Sequence, residues 1–95
     1  RPILPPDRLV SAFYVRLVVA DRPGVLARVA AVLGEEGVSI RTVVQKGQGE
    51  SARLVMVLHP TTEGRVQAAV ARLRALDEVR EEPVALHVLG EGAGG

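Results

Sequence analysis

The chain has 95 residues, 12 of them Lys or Arg and 11 Asp or Glu, for a formal net charge of +1, and 47% are apolar with no cysteine. A chain of this length supports one hydrophobic core and not two, and so even a charge balance gives no bulk attraction to nucleic acid or to an anionic membrane. The missing cysteines exclude disulfides and thiolate chemistry, no signal-like segment opens the chain, and no apolar run approaches the roughly 18 residues of a membrane span; the expected setting is cytoplasmic.

Residues 1–12 begin at Arg1 and carry Pro2, Pro5 and Pro6, while Met56 is the single methionine. That composition reads as an interdomain linker, so the chain is expected to be part of a longer polypeptide. From Phe13 to Ala20 the residues Phe13, Val15, Leu17 and Val19 alternate with Tyr14, Arg16 and Val18, the period of a strand. Asp21-Arg22-Pro23-Gly24 interrupts it and opens a helix, with Pro23 expected in the first helical turn, where its missing N–H is not needed. Val25, Leu26, Val29, Val32 and Leu33 follow at helical spacing, and Gly37 stands where the helix should stop.

A β-branched run from Val38 to about Lys46, with Ile40, Val43 and Val44, predicts a second strand. Gly47-Gln48-Gly49 turns it into a third, Ala52 to His59. After Pro60, either Thr61 or Thr62 is placed to cap a second helix whose apolar stripe is Val66, Ala69, Val70, Leu73 and Leu76. Val84 to Leu89 alternates again, giving a last strand that closes a domain of residues 13–90; residues 91–95 are a flexible glycine-rich tail.

The order strand, helix, strand, strand, helix, strand is that of a ferredoxin-like α+β domain, βαββαβ, with two helices on one face of a four-stranded antiparallel sheet. Phe13, Val15, Leu17, Ile40, Leu54, Met56, Val84 and Leu86 are expected beneath the helices. Tyr14, Arg16, Val18, Arg41, Val43, Arg53, Val55, Val57, His87 and Leu89 then share the open face. So much apolar surface predicts contact with another domain or protomer.

The most specific motif is Asp21-Arg22-Pro23-Gly24-Val25-Leu26. Gly24 permits close approach to the helix start, whose free N–H groups favour a carboxylate, and Asp21 offers a counter-charge to an ammonium. Together they suit a zwitterionic amino acid. The simpler reading is that Asp21 caps the helix and Pro23-Gly24 only turns the chain.

That motif, with Val29 to Leu33 and Gly37-Val38-Ser39-Ile40 after it, resembles the ACT domain, a small-molecule-sensing module of amino-acid metabolism, over about Phe13 to Leu89. More narrowly, Gly37 to Lys46, ending Val44-Gln45-Lys46, and the stretch Leu54 to Pro60, ending His59-Pro60, are similar to the C-terminal ACT domain of bacterial homoserine dehydrogenases. The resemblance implies an NAD(P)-dependent parent oxidoreductase that interconverts homoserine and aspartate semialdehyde under threonine feedback, and a homodimer or higher homo-oligomer formed through sheet and strand edges. It also implies an effector site made by Asp21, Arg22, Pro23, Gly24, Val25 and Leu26, completed by Val38, Ser39 and Ile40 from a neighbouring protomer. Ser39 stands where many amino-acid-binding members carry an asparagine, and it offers a shorter polar side chain.

No catalytic constellation, metal site or cofactor site is expected in the chain itself. His59 and His87 fall on different strands without ligand spacing, and Gly47-Gln48-Gly49 lies inside a hairpin and opens no helix, so it is not a dinucleotide loop. Glu35-Glu36 and Glu81-Glu82 are adjacent pairs that point apart, as solvated ends do. RNA binding on the same fold would need aromatics on the central strands, where only Phe13 and Tyr14 occur, and a copper-chaperone reading fails without cysteine. The alternatives left are an assembly module that binds no ligand and the ACT domain of another amino-acid enzyme.

Overall fold

The computed structural model describes residues 10–88. They run β1 (Val10–Ser11), β2 (Phe13–Ala20), α1 (Val25–Glu35), β3 (Ile40–Gln48), β4 (Ser51–Leu58), β5 (Thr61–Thr62), α2 (Glu63–Arg74) and β6 (Val79–His87). β3, β4, β2 and β6 form one antiparallel sheet in that order, and both helices cover one of its faces, the ferredoxin-like arrangement. Expectations for residues 1–9, for Leu89 and for the tail lie outside the described residues. Val10 and Ser11, assigned above to the linker, pair with Thr62 and Thr61 in a separate two-stranded ribbon. Two residues are too short a run to show a period.

The local signals act where the chemistry requires them. At the end of α1, Gly37 adopts φ 78; its N–H donates to Gly34 O at 3.0 Å and that of Val38 to Leu33 O at 2.9 Å, the paired bonds of a Schellman stop. Of the two candidate caps for α2 it is Thr62 that serves, its Oγ1 accepting from Arg65 N–H at 3.4 Å. The hairpin turn comes later than expected: Gly47 and Gln48 remain in β3, and Gln48 pairs with Ser51 across a two-residue turn led by Gly49 at φ 64, the glycine-first form that suits the twist of a hairpin. Beyond α1, Arg72 of α2 donates to Glu35 at 2.6 Å and Glu36 at 3.1 Å, and those hydrogen bonds, Glu35 first, raise its pKa above the usual guanidinium value. The acidic pair is thus held by α2.

The core is aliphatic as expected: Val15, Leu17, Leu54, Met56 and Leu58 meet Val29, Leu33, Val66, Ala69 and Leu73, all essentially without exposed surface. Each large side chain so buried contributes about 1.5–3 kcal/mol from its removal from water.

Strand faces depart from the expected alternation in β6 and in β3. Residues paired directly across a sheet share a face. Val15 pairs with Ala85 and Phe13 with His87, while Tyr14 pairs with Leu86 and Arg16 with Val84. Val84 and Leu86, expected beneath the helices, therefore lie on the open face, and His87 lies on the helix side, its ring 5.0 Å from that of Phe13. β6 also starts at Val79, five residues before the expected Val84, and takes three steps from Val84 to Glu81 while β2 takes two from Arg16 to Val18. Both alternating sets in β6 contain apolar residues, so hydrophobicity alone does not choose between the faces.

The other departure is in β3. Ile40 pairs with Leu58 but Thr42 with Val57, so Arg41 is the extra residue of a bulge. Ile40 keeps its expected inward place, and beyond the bulge Val43 moves from the open face to the side of Met56, while Thr42, Val44 and Lys46 take the open face. β3 is an edge strand, and from Arg41 to Gly47 every residue remains exposed.

Candidate functional site

β2 ends where its polar backbone finds partners outside the sheet. Ala20 N–H donates to Glu78 O at 2.8 Å and Asp21 N–H to Glu50 O at 2.9 Å. Val25 N–H then donates to Arg22 O at 3.3 Å around Pro23 and Gly24, with Gly24 at φ 86 and ψ −12. These are the bond and the third-residue angles of a type II turn, which favours proline second and glycine third. Pro23 is therefore in the turn and not in the first helical turn as expected; the left-handed Gly24 cannot be helical, so α1 begins at Val25.

This geometry bears on the capping reading of Asp21. The N-cap of α1 is Gly24, no side chain caps the helix, and its first turn carries no acidic residue. Asp21 is not the cap. Its exposed carboxylate has no hydrogen bond or ion pair among the described residues, and Oδ2 reaches to 3.6 Å from where a Cβ on Gly47 of β3 would stand.

The loop and helix start enclose one side of an open pocket of about 360 Å³, lined by Asp21, Arg22, Pro23, Gly24, Val25 and Leu26 together with Gln45 of β3 and Leu54 of β4. All six loop residues singled out from the sequence meet here. Val38, Ser39 and Ile40 do not: they follow the far end of α1, an 11-residue helix about 16 Å long. Val38 is buried, and Ser39 O accepts from His59 N–H at 2.9 Å. Gln45 is the lining residue that sequence reasoning passed over. Its pairing with Leu54, set by the Arg41 bulge, turns it toward the helix side.

Chemically the pocket joins backbone donors, polar side chains and an apolar floor. Val25 N–H is already engaged, but those of Gly24 and Leu26 have no backbone partner among the described residues, and they sit where the helix end concentrates positive partial charge. Asp21 supplies a carboxylate and Gln45 a group that both donates and accepts. Buried Val19, Val25 and Leu54 form an apolar floor. A second, more polar hollow of about 670 Å³ lies on the other side of Asp21 and Arg22, against Glu50 and Arg80, and its charged walls are exposed. Among the described residues no helix is long and apolar enough to cross a membrane.

Residues 13–78 match the model of the ACT domain family. Homoserine dehydrogenase of Neisseria gonorrhoeae is 40% identical over 86 residues, covering 88% of this chain and 20% of the relative. The crystal structure of a homoserine dehydrogenase from Thiobacillus denitrificans superposes with a TM-score of 0.81 at 37% identity, over 90% of this chain and 19% of that one. The ACT domain from GTP pyrophosphokinase of Chlorobium tepidum shares the fold, with a TM-score of 0.68 at 17% identity over 82% of this chain and 100% of that one. The chain thus spans about a fifth of the length of the dehydrogenases it matches.

Proposed function

The chain belongs to the ACT domain family, and from that premise we propose that it is the amino-acid-sensing regulatory domain of a homoserine dehydrogenase, with threonine as its effector. The observation that carries this reading is the convergence of the Asp21–Leu26 loop and Gln45 on one small pocket with an apolar floor. In this reading the effector's carboxylate meets the N–H groups of Gly24 and Leu26 and its ammonium meets Asp21. The short side chain rests toward Leu54, within reach of Gln45. The chemistry with NAD(P), interconverting homoserine and aspartate semialdehyde, belongs to the remaining four-fifths of such an enzyme.

Sensing is joined to assembly through the sheet edges. β6 is protected against pairing by Pro83, by two register shifts and by Arg80, Glu81 and Glu82. β3 has no proline and leaves Val43 38% and Val44 49% exposed. Pairing two β3 edges antiparallel gives a continuous eight-stranded sheet, and with its two-fold near Val43 the partner's Ile40 comes opposite Lys46. Val38, Ser39 and Ile40 of each chain then approach the other chain's pocket, which reconciles their distance from it within one chain.

The same exposed β3 edge supports a second reading, assembly without a ligand. Titrating threonine while following amide resonances separates the two. Saturable shifts confined to residues 21–26, Gln45 and 38–40 are expected; no saturable shift up to millimolar threonine leaves assembly alone.

A further inference from the structure

We propose that Glu78 positions the effector loop by holding both of its ends at once, an inference that rests on the sensing reading above. Glu78 lies in the connection between α2 and β6. It approaches β2 from the β6 side, whereas Gln45 and Leu54 line the pocket from the β3 and β4 side. It does not line the pocket. Its backbone carbonyl accepts from Ala20 N–H at 2.8 Å, and its Oε2 lies 3.1 Å from Nη1 of Arg28. Ala20 is the last residue before the loop. Arg28 is the residue whose N–H closes the first helical bond, on Gly24 O at 3.1 Å. One residue therefore spans Asp21 to Gly24 from behind.

The side chain is set into the protein and not spread on its surface. Glu78 is 15% exposed, against 59% for Arg28, and its second oxygen, Oε1, is enclosed with no hydrogen-bond partner among the described residues. An ion pair with so exposed a partner contributes little to stability. Stability does not account for the arrangement. Direction does, because a carboxylate held on one side fixes where the Arg28 guanidinium, and with it the first turn of α1, can sit. Any movement of the α2–β6 connection reaches both ends of the loop together.

The test uses Glu78→Gln, which keeps size and one accepting oxygen but removes the charge, beside Arg28→Lys, which keeps charge but not the fork. Arg74→Gln, which removes the exposed Arg74–Glu82 pair, is the control. Without ligand, amide exchange at Ala20 and Arg28 should quicken by about threefold or more in Glu78→Gln and by less in Arg28→Lys. Met56 in β4 and the Arg74→Gln protein should be unchanged. Threonine should then bind Glu78→Gln about three- to tenfold more weakly at an unchanged melting temperature. Exchange that rises uniformly, exchange that does not change, or a loosened loop with undiminished affinity each overturns the proposal. If the unaltered protein binds no threonine, the sensing reading fails, and the exchange measurement alone still decides whether Glu78 holds the loop.

Discussion

Gly24 and Asp21 stand three positions apart in one turn and should respond to substitution in opposite ways. Gly24 is at φ 86, and a Cβ built there meets nothing within 4 Å. The demand at this position is conformational and not steric. Gly24→Ala should cost about 1–2 kcal/mol of stability, seen as a lower melting temperature. Asp21 caps nothing and has no partner among the described residues, so Asp21→Ala should leave the melting temperature nearly unchanged. If the carboxylate holds an ammonium, the same substitution weakens threonine binding by about 1–3 kcal/mol, the range for losing a charged hydrogen bond. A fall in stability without a change in affinity would return Asp21 to a structural role. The motif was plain in the sequence; its division of labour was not, because the cap position depends on where the backbone leaves the helical region.

Among the elements, β3 and β6 are both edges, and their compositions differ in the sense that matters for association. β6 carries a proline, charges and two irregularities. β3 presents Val43 and Val44 on a strand whose one bulge is confined to its start. Association should therefore run through β3, and Val44→Lys, on its open face, should convert an associated protein to a monomer at high micromolar concentration without loss of helical signal. Sedimentation is the measurement; an unaltered protein that is already monomeric there, or a Val44→Lys protein that stays associated, would move the interface elsewhere. The helices were the most legible elements, since Thr62, Gly37 and the apolar stripes each act over a few neighbouring residues. The outer strands were less so, because a bulge is an agreement between two strands.

At the scale of the whole molecule, a ligand held between two chains stabilises the paired state by its preference for that state. Threonine should thus lower the concentration at which the dimer forms and raise the melting temperature, both saturating with the pocket. Alanine offers the same ammonium and carboxylate without the hydroxyl and serves as the comparison. An equal effect of the two would show that the pocket reads only the zwitterion, and no effect of either would favour assembly without sensing.

Composition and periodicity by themselves determined that the chain builds one aliphatic core, that its elements follow βαββαβ order, and that Asp21 to Gly24 breaks the first long strand from the first helix. These are short-range properties, in which the spacing of apolar side chains and the allowed angles of glycine and proline act within a turn or two. Tertiary structure alone decided that Val84 and Leu86 face outward and that Gln45 joins the loop. Each depends on register between strands distant in sequence, where one extra residue, Arg41 in β3 or another in β6, reverses every side chain beyond it.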